Sequence, residues 1–244
     1  MEAIVYEEFG GPGVLHPAQV DDVHAGPGQI RVAVRAAGVN PVDYKIRNGW
    51  MEAAFPTPLP ATPGSEFAGV VDETGEGVTE FTVGDEVLGR STTGAYAEYV
   101  LADVGAVAPK PEGLGWAEAA ALPVATATAA RVLDELAVAE GETLLLHGAS
   151  GAVGSAAVQL AAARGATVIG TASRPTTTTC GCSARCRWRT GTGWWNGSGR
   201  PRRRGWTRCS TRPAGARWRT RCGCAAVRPS GSRPSRTRTP PTTA

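Results

Sequence analysis

The chain has 244 residues, with 25 Lys and Arg against 22 Asp and Glu and a formal net charge of +3. That near-balance averages two unlike parts. Residues 1–173 hold all 22 acids and eight basic residues, a net charge of −14, whereas residues 174–244 hold 17 arginines and no acid. The overall charge therefore identifies no partner. Residues 1–173 lack cysteine, which excludes a disulfide scaffold there. No apolar run reaches the ~18–20 residues of a membrane span. Met1–Tyr6 has neither a basic nor an apolar leader, so no signal peptide and a cytoplasmic location are expected.

Residues 1 to about 115 read as β-rich. Short alternating or apolar runs at Ala3–Tyr6, Gln29–Ala37, Glu66–Glu73, Glu86–Leu88 and Ala95–Leu101 are separated by Gly and Pro turns. From Trp116 the pattern turns helical. Trp116–Leu122 and Ala127–Leu136 are Ala-rich, with apolar residues at helical spacing. A strand–loop–helix–strand unit comes next: Thr143–His147, a Gly-rich loop, a helix over Ala152–Ala163 stopped by Gly165, and Thr167–Gly170.

The loop Gly148-Ala149-Ser150-Gly151-Ala152-Val153-Gly154 leaves an apolar strand and opens the next helix. A pyrophosphate needs small residues there so that backbone N–H groups at a helix start can approach its charge. Tight strand–helix packing explains the same glycines, but the β–loop–α–β order favours a nucleotide. In folds of this kind an acid ending the second strand holds the ribose 2′-hydroxyl of NAD. Thr171-Ala172-Ser173-Arg174 supplies none, so NADPH is the expected cofactor, with Ser173 and Arg174 beside its 2′-phosphate. Arg174 stands at the compositional break. His147 reads as a packed core residue, His16 and His24 as members of polar turns, and Lys45 and Arg47 as solvated charges.

Residues 174–244 contain all six cysteines and five of the seven tryptophans. Arginine interleaved with tryptophan is the composition of a nucleic-acid-binding arm. The Cys180-Gly-Cys182 and Cys222-Gly-Cys224 spacings are too short for the usual zinc motifs, and the segment has no histidine. A shifted reading frame accounts for the composition better. If one base is missing upstream, Cys180 and Cys182 decode to Leu, Met or Val. Trp194-Trp195-Asn196 must then decode to an aliphatic residue, valine and glutamate, so acids and aliphatics return together. The expectation is a frameshifted tail without a fold and with no nucleic-acid role.

Several motifs in order, Ala36-Ala-Gly-Val-Asn-Pro-Val-Asp-Tyr-Lys45, Pro63-Gly-Ser-Glu-Phe-Ala-Gly69, Val83-Gly-Asp85, Gly94-Ala-Tyr-Ala-Glu98 and the loop from Gly148, bring a family into view. The chain from Met1 to about Ser173 resembles the zinc-free medium-chain dehydrogenase/reductases of the NADPH:quinone oxidoreductase group. One frame-corrected solution for residues 176–185 also looks like that family's next segment. The resemblance implies an α/β protein: a GroES-like β-barrel domain over 1–120, then the first part of a Rossmann doubly wound parallel sheet over 121–173, truncated here, with the active site in the cleft between the domains. It implies Asn40, Asp43 and Tyr44 at the nicotinamide and substrate, and Thr128 with Ala149–Val153 at the cofactor. From the residues alone, Asn40–Asp43 reads equally as a turn capping Tyr44–Asn48. Where zinc relatives place Cys and His, this chain has Asn40 and Ser65, with only Glu66 retained, so no metal is expected. The implied chemistry is hydride transfer from NADPH to a quinone or enone, in a homodimer for the intact family member. A non-catalytic NADPH-binding protein is the alternative.

Overall fold

The computed structural model describes residues 1–172 and, beyond them, three strand segments. The chain divides into two compact units, Met1–Ala127 and Thr128–Ala244. The division falls inside a helix, a few residues after the domain boundary expected at residue 120.

The first unit is built on a five-stranded antiparallel sheet. Its strands are β3 (Gln29–Ala37), β4 (Glu66–Thr74), β5 (Glu86–Arg90), β6 (Tyr99–Asp103) and β7 (Val107–Pro109), in the order β6-β3-β4-β5-β7. A separate pair joins β1 (Glu2–Val5) to β2 (His16–Gln19). Alternation along β3 puts Ile30 and Val32 on the same face, where both are fully buried with Phe67, Val71, Val87 and Val100. The β-rich expectation holds, and β3 spans the residues predicted.

Three local readings change. His16 lies in β2 rather than in a turn. The strand expected over Ala95–Leu101 begins only at Tyr99, because the preceding residues pair with β1: Ile4 N–H donates to Tyr96 O at 2.8 Å and Ala3 bridges Ala97. Residues Pro41–Arg47 form a helix, α1, which Pro41 opens with its preset φ.

Two register shifts mark the β3–β4 pairing, at Arg31/Val32 and Val34/Ala36. Bulges bend a strand and re-aim the chain beyond it. The second lies just before Gly38 and Asn40, where the chain leaves the sheet for α1. Helices α2 (Trp116–Ala120) and α3 (Pro123–Glu135) end the unit, α3 running across the division.

In the second unit β8 (Thr143–His147), α4 (Ala152–Ala163) and β9 (Thr167–Thr171) form the expected strand–helix–strand, with β8 and β9 parallel. Leu133, Leu136, Leu144, Leu146, Val158 and Val168 bury its core. Backbone pairing adds β10 (Arg187–Arg189), parallel to β9, and the antiparallel pair β11 (Trp218–Arg221) and β12 (Ala225–Arg228), with β12 antiparallel to β8. The order β10-β9-β8 is the 3-2-1 half of a doubly wound sheet. Beyond β8 that fold continues with a parallel strand, whereas β12 is antiparallel. Apart from these three segments, the expectation of an unfolded tail falls outside the described residues.

Truncating Phe67 to alanine removes a fully buried ring between β4 and its neighbours. The variant is expected to lose about 3–5 kcal/mol, read as a lowered urea midpoint of the first unit's transition.

Candidate functional site

Beginning at Asn40, the first unit gathers polar groups around two buried carboxylates. Asn40 is the N-cap of α1, in extended conformation at φ −119° and ψ 155°. Asp43, at the third helical position, is 7% exposed. Its Oδ2 accepts the Asn40 backbone N–H at 2.7 Å and the Tyr96 hydroxyl at 3.2 Å, while Oδ1 accepts the Ser65 hydroxyl at 2.8 Å. A carboxylate at a helix start also faces the positive end of the helix dipole. Asp43 thus ties α1 to the Pro63–Ser65 and Gly94–Tyr96 loops, and the capping reading of Asn40–Asp43 is the one the backbone displays. Burial, followed by the Asp43 carboxylate, pushes the Tyr96 phenol well above its ordinary value.

Glu66 is 2% exposed, an acid opening a strand whose next five residues, Phe67–Val71, are apolar. Its Oε1 accepts Asn40 Nδ2–H at 2.5 Å and its Oε2 accepts the Val124 backbone N–H, in the first turn of α3, at 2.6 Å. Gly38 makes room for it: a Cβ there would fall on the Glu66 carboxylate, with Cδ only 2.6 Å away. The Ala36-Ala-Gly-Val-Asn40 motif therefore works as a bend that passes the carboxylate closely and then presents Asn40. Tyr44 projects from α1, 41% exposed, with its ring edge-on to Trp50 at 6.1 Å between centroids and 88° between planes. Arg47 is not simply solvated, because its Nε–H donates to Gly10 O at 3.1 Å.

The second unit carries the Gly-rich loop between β8 and α4. Gly148 takes φ +72°, in the left-handed region. Ala149 is buried and its N–H donates to Thr171 O at 3.0 Å, while Gly151 N–H closes the turn on Gly148 O at 3.0 Å. Gly148, Gly151, Ala152 and Val153 are exposed, and Ser150 is half-buried. At Gly154 a Cβ would run into Gly148 O and lie 2.7 Å from Ala149 Cα, so only glycine lets α4 start this close to the loop. The first N–H groups of an α-helix have no carbonyl partner inside it. With no acid in the first turn of α4, this loop and helix start suit an anion. Thr128 sits half-buried on α3. Ser173 and Arg174 lie outside the described residues.

His147 corrects the sequence reading. It is exposed, and its Nδ1 is 3.0 Å from Thr171 Oγ1 across the β8–β9 pair. Sequence reasoning also passed over Tyr96 and gave Glu66 no role. An acid directly ahead of the apolar run Phe67–Val71 is the available signal for Glu66, since a buried carboxylate requires donors. Tyr96 gave none, because it meets Asp43 across 53 residues.

The alcohol dehydrogenase GroES-like domain model matches residues 26–112. The quinone oxidoreductase of Rattus norvegicus is 45% identical over 176 residues, which cover 70% of this chain and 53% of that protein. The chain thus spans about half the length of this curated relative. A mycobacterial protein solved in complex with NADPH superposes with a TM-score of 0.67 at 33% identity, covering 77% of this chain and 58% of that one. The CurK enoyl reductase superposes with a TM-score of 0.67 at 29% identity, over 76% and 59% of the two chains.

Two substitutions test these contacts. Because the fold raises the Tyr96 phenol, the stability it supports is intact below the unfolded value near 10 and is lost as pH rises beyond it. Urea denaturation between pH ~9 and ~11 is expected to show falling stability in the parent and a shallower fall in Tyr96→Phe. Gly154→Val forces the loop and α4 apart, and its expected result is a lower melting temperature with Val158 and Ala161 losing amide-exchange protection.

Proposed function

We propose that this chain, 45% identical to a quinone oxidoreductase over 70% of its length, belongs through that part to the quinone oxidoreductases of the medium-chain dehydrogenase/reductase family and is built to pass a hydride from NADPH to a quinone or enone acceptor without zinc. The observation that carries the cofactor reading is the Gly148–Gly154 loop, whose backbone closes on itself and leaves a helix start facing outward with no side chain beyond Cβ at Gly148, Ala149, Gly151 and Gly154. Ala149–Val153 and Thr128 are the residues assigned to hold the cofactor. The absence of an acid in Thr171-Ala172-Ser173-Arg174 supports NADPH over NADH, with Ser173 and Arg174 assigned to the 2′-phosphate.

NADPH when bound supplies the hydride, so the protein's part is orientation and charge. Asn40 is the residue assigned to hydrogen-bond the carboxamide or acceptor carbonyl. Exposed Tyr44 is assigned to pack on a flat acceptor or to give up its phenolic proton. Asp43 holds α1, and through it both of these residues, in place. Zinc independence rests on the donor set. Ser65 Oγ–H donates to Asp43, and both Glu66 oxygens accept hydrogen bonds. An amide, a hydroxyl and an occupied carboxylate are poor zinc ligands. The cysteine-free first part suits the reducing cytoplasm. Among the described residues no helix is long and apolar enough to cross a membrane.

We further propose that residues 174–244 are read out of frame, on their composition and on the decoding that restores acids and aliphatics. The test is NADPH oxidation with a simple quinone by the 244-residue chain and by a version with one base restored ahead of codon 174. The expected result is little or no turnover by the first and clear turnover by the second. No oxidation by either overturns the enzymatic reading, and binding without oxidation selects the non-catalytic alternative.

A further inference from the structure

We propose that Glu66 is a positioning residue that sets the Asn40 side-chain amide as a hydrogen-bond donor toward the ligand. The inference deepens the reading above and rests on it for the ligand, but not for the geometry. Glu66 is nearly fully buried and meets two donors, one for each oxygen: Asn40 Nδ2–H at 2.5 Å and Val124 N–H at 2.6 Å. Only a group that accepts at both ends satisfies this arrangement, and an ionised carboxylate does so. Glutamine offers one acceptor and one NH₂, so it leaves either Val124 N–H or Asn40 Nδ2 facing another donor. Aspartate is one methylene too short to span both.

The consequence for Asn40 is directional. An asparagine amide can turn over, exchanging its donor and acceptor ends. Facing a carboxylate, only the NH₂ end is tolerated, which removes that freedom. One N–H is spent on Glu66, and the same nitrogen keeps a second N–H. The charge-assisted bond holds it and costs no ordering when a ligand arrives. A carbonyl oxygen, of a carboxamide or of an acceptor, is the partner this N–H fits. The Val124 contact anchors the carboxylate from its other side. Gly38 excludes any side chain that would push it away.

The test monitors the Asn40 side-chain amide by NMR in the full chain, with its resonances assigned by their loss in Asn40→Ala. In the parent the expected signature is two well-separated N–H resonances, one shifted downfield and slow to exchange. In Glu66→Gln and Glu66→Asp that resonance moves toward free-amide values. An Asn40 amide in the parent that already exchanges like an exposed one overturns the proposal, even if neither variant folds. So does an unchanged amide in a folded Glu66→Gln.

The frame-restored protein separates positioning from simple support. There Glu66→Gln is expected to lower kcat roughly 10-fold, as loss of an orienting partner does, with KM for NADPH changed far less. An unchanged kcat overturns the positioning role. Absence of turnover in the frame-restored parent counts against the enzymatic reading and leaves the amide measurement to decide Glu66.

Discussion

A carboxylate cannot be buried in an apolar strand unless each oxygen finds a donor. Much of the first unit's polar architecture answers that requirement at Glu66. The strand that carries it, β4, lies between β3 and β5. Its donors come from two distant points of the sequence: Asn40, where β3 gives way to α1, and Val124, where α3 begins. The bend at Gly38 and the bulge at Val34/Ala36 bring Asn40 within reach. Asp43 repeats the pattern one turn further on, with donors from Asn40, Ser65 and Tyr96. Two buried acids thus gather four segments around the start of one short helix.

Elements whose residues speak locally were legible from sequence. β3, β8 and α4 carry their own periodicity, and each occupies the residues read for it. The Gly-rich loop was legible because its glycines answer a steric demand set within a few residues. Contacts made across long separations were not. Tyr96 gives no local sign that it serves Asp43. His147 looked like the end of a buried strand, yet strand alternation turns it outward, to Thr171. Where the sequence reads as a turn at Asn40–Asp43 capping Tyr44–Asn48, the helix already starts at Pro41, and seven residues show too little periodicity to fix that start. Asn40 and Asp43 cap that helix, and the Asn40 amide also donates to Glu66, a contact 26 residues away that the local sequence does not signal.

In the second unit one supersecondary motif carries the packing that the described residues display. The β8–α4–β9 turn is local, and its core of Leu144, Leu146, Val158 and Val168 closes between α4 and Leu133 of α3. At the other edge of β8, β12 pairs in the reverse sense to the parallel strand such folds continue with. The net charge of −14 before residue 174 and the run of arginine after it also place opposite fields on one chain. That is a condition for association with itself at low ionic strength.

The placement of β3 has a consequence for how the chain acquires its shape. β3 joins β4 through Ala37↔Phe67 and β6 through Gln29↔Asp103, so neither neighbour is reached by a tight hairpin. Closing those long loops costs entropy before any pairing is gained. During synthesis β3 must wait with one edge open until residues past 100 have emerged. The first unit's sheet therefore depends on late-arriving chain, although Ile30 and Val32 of its core are among the first residues made.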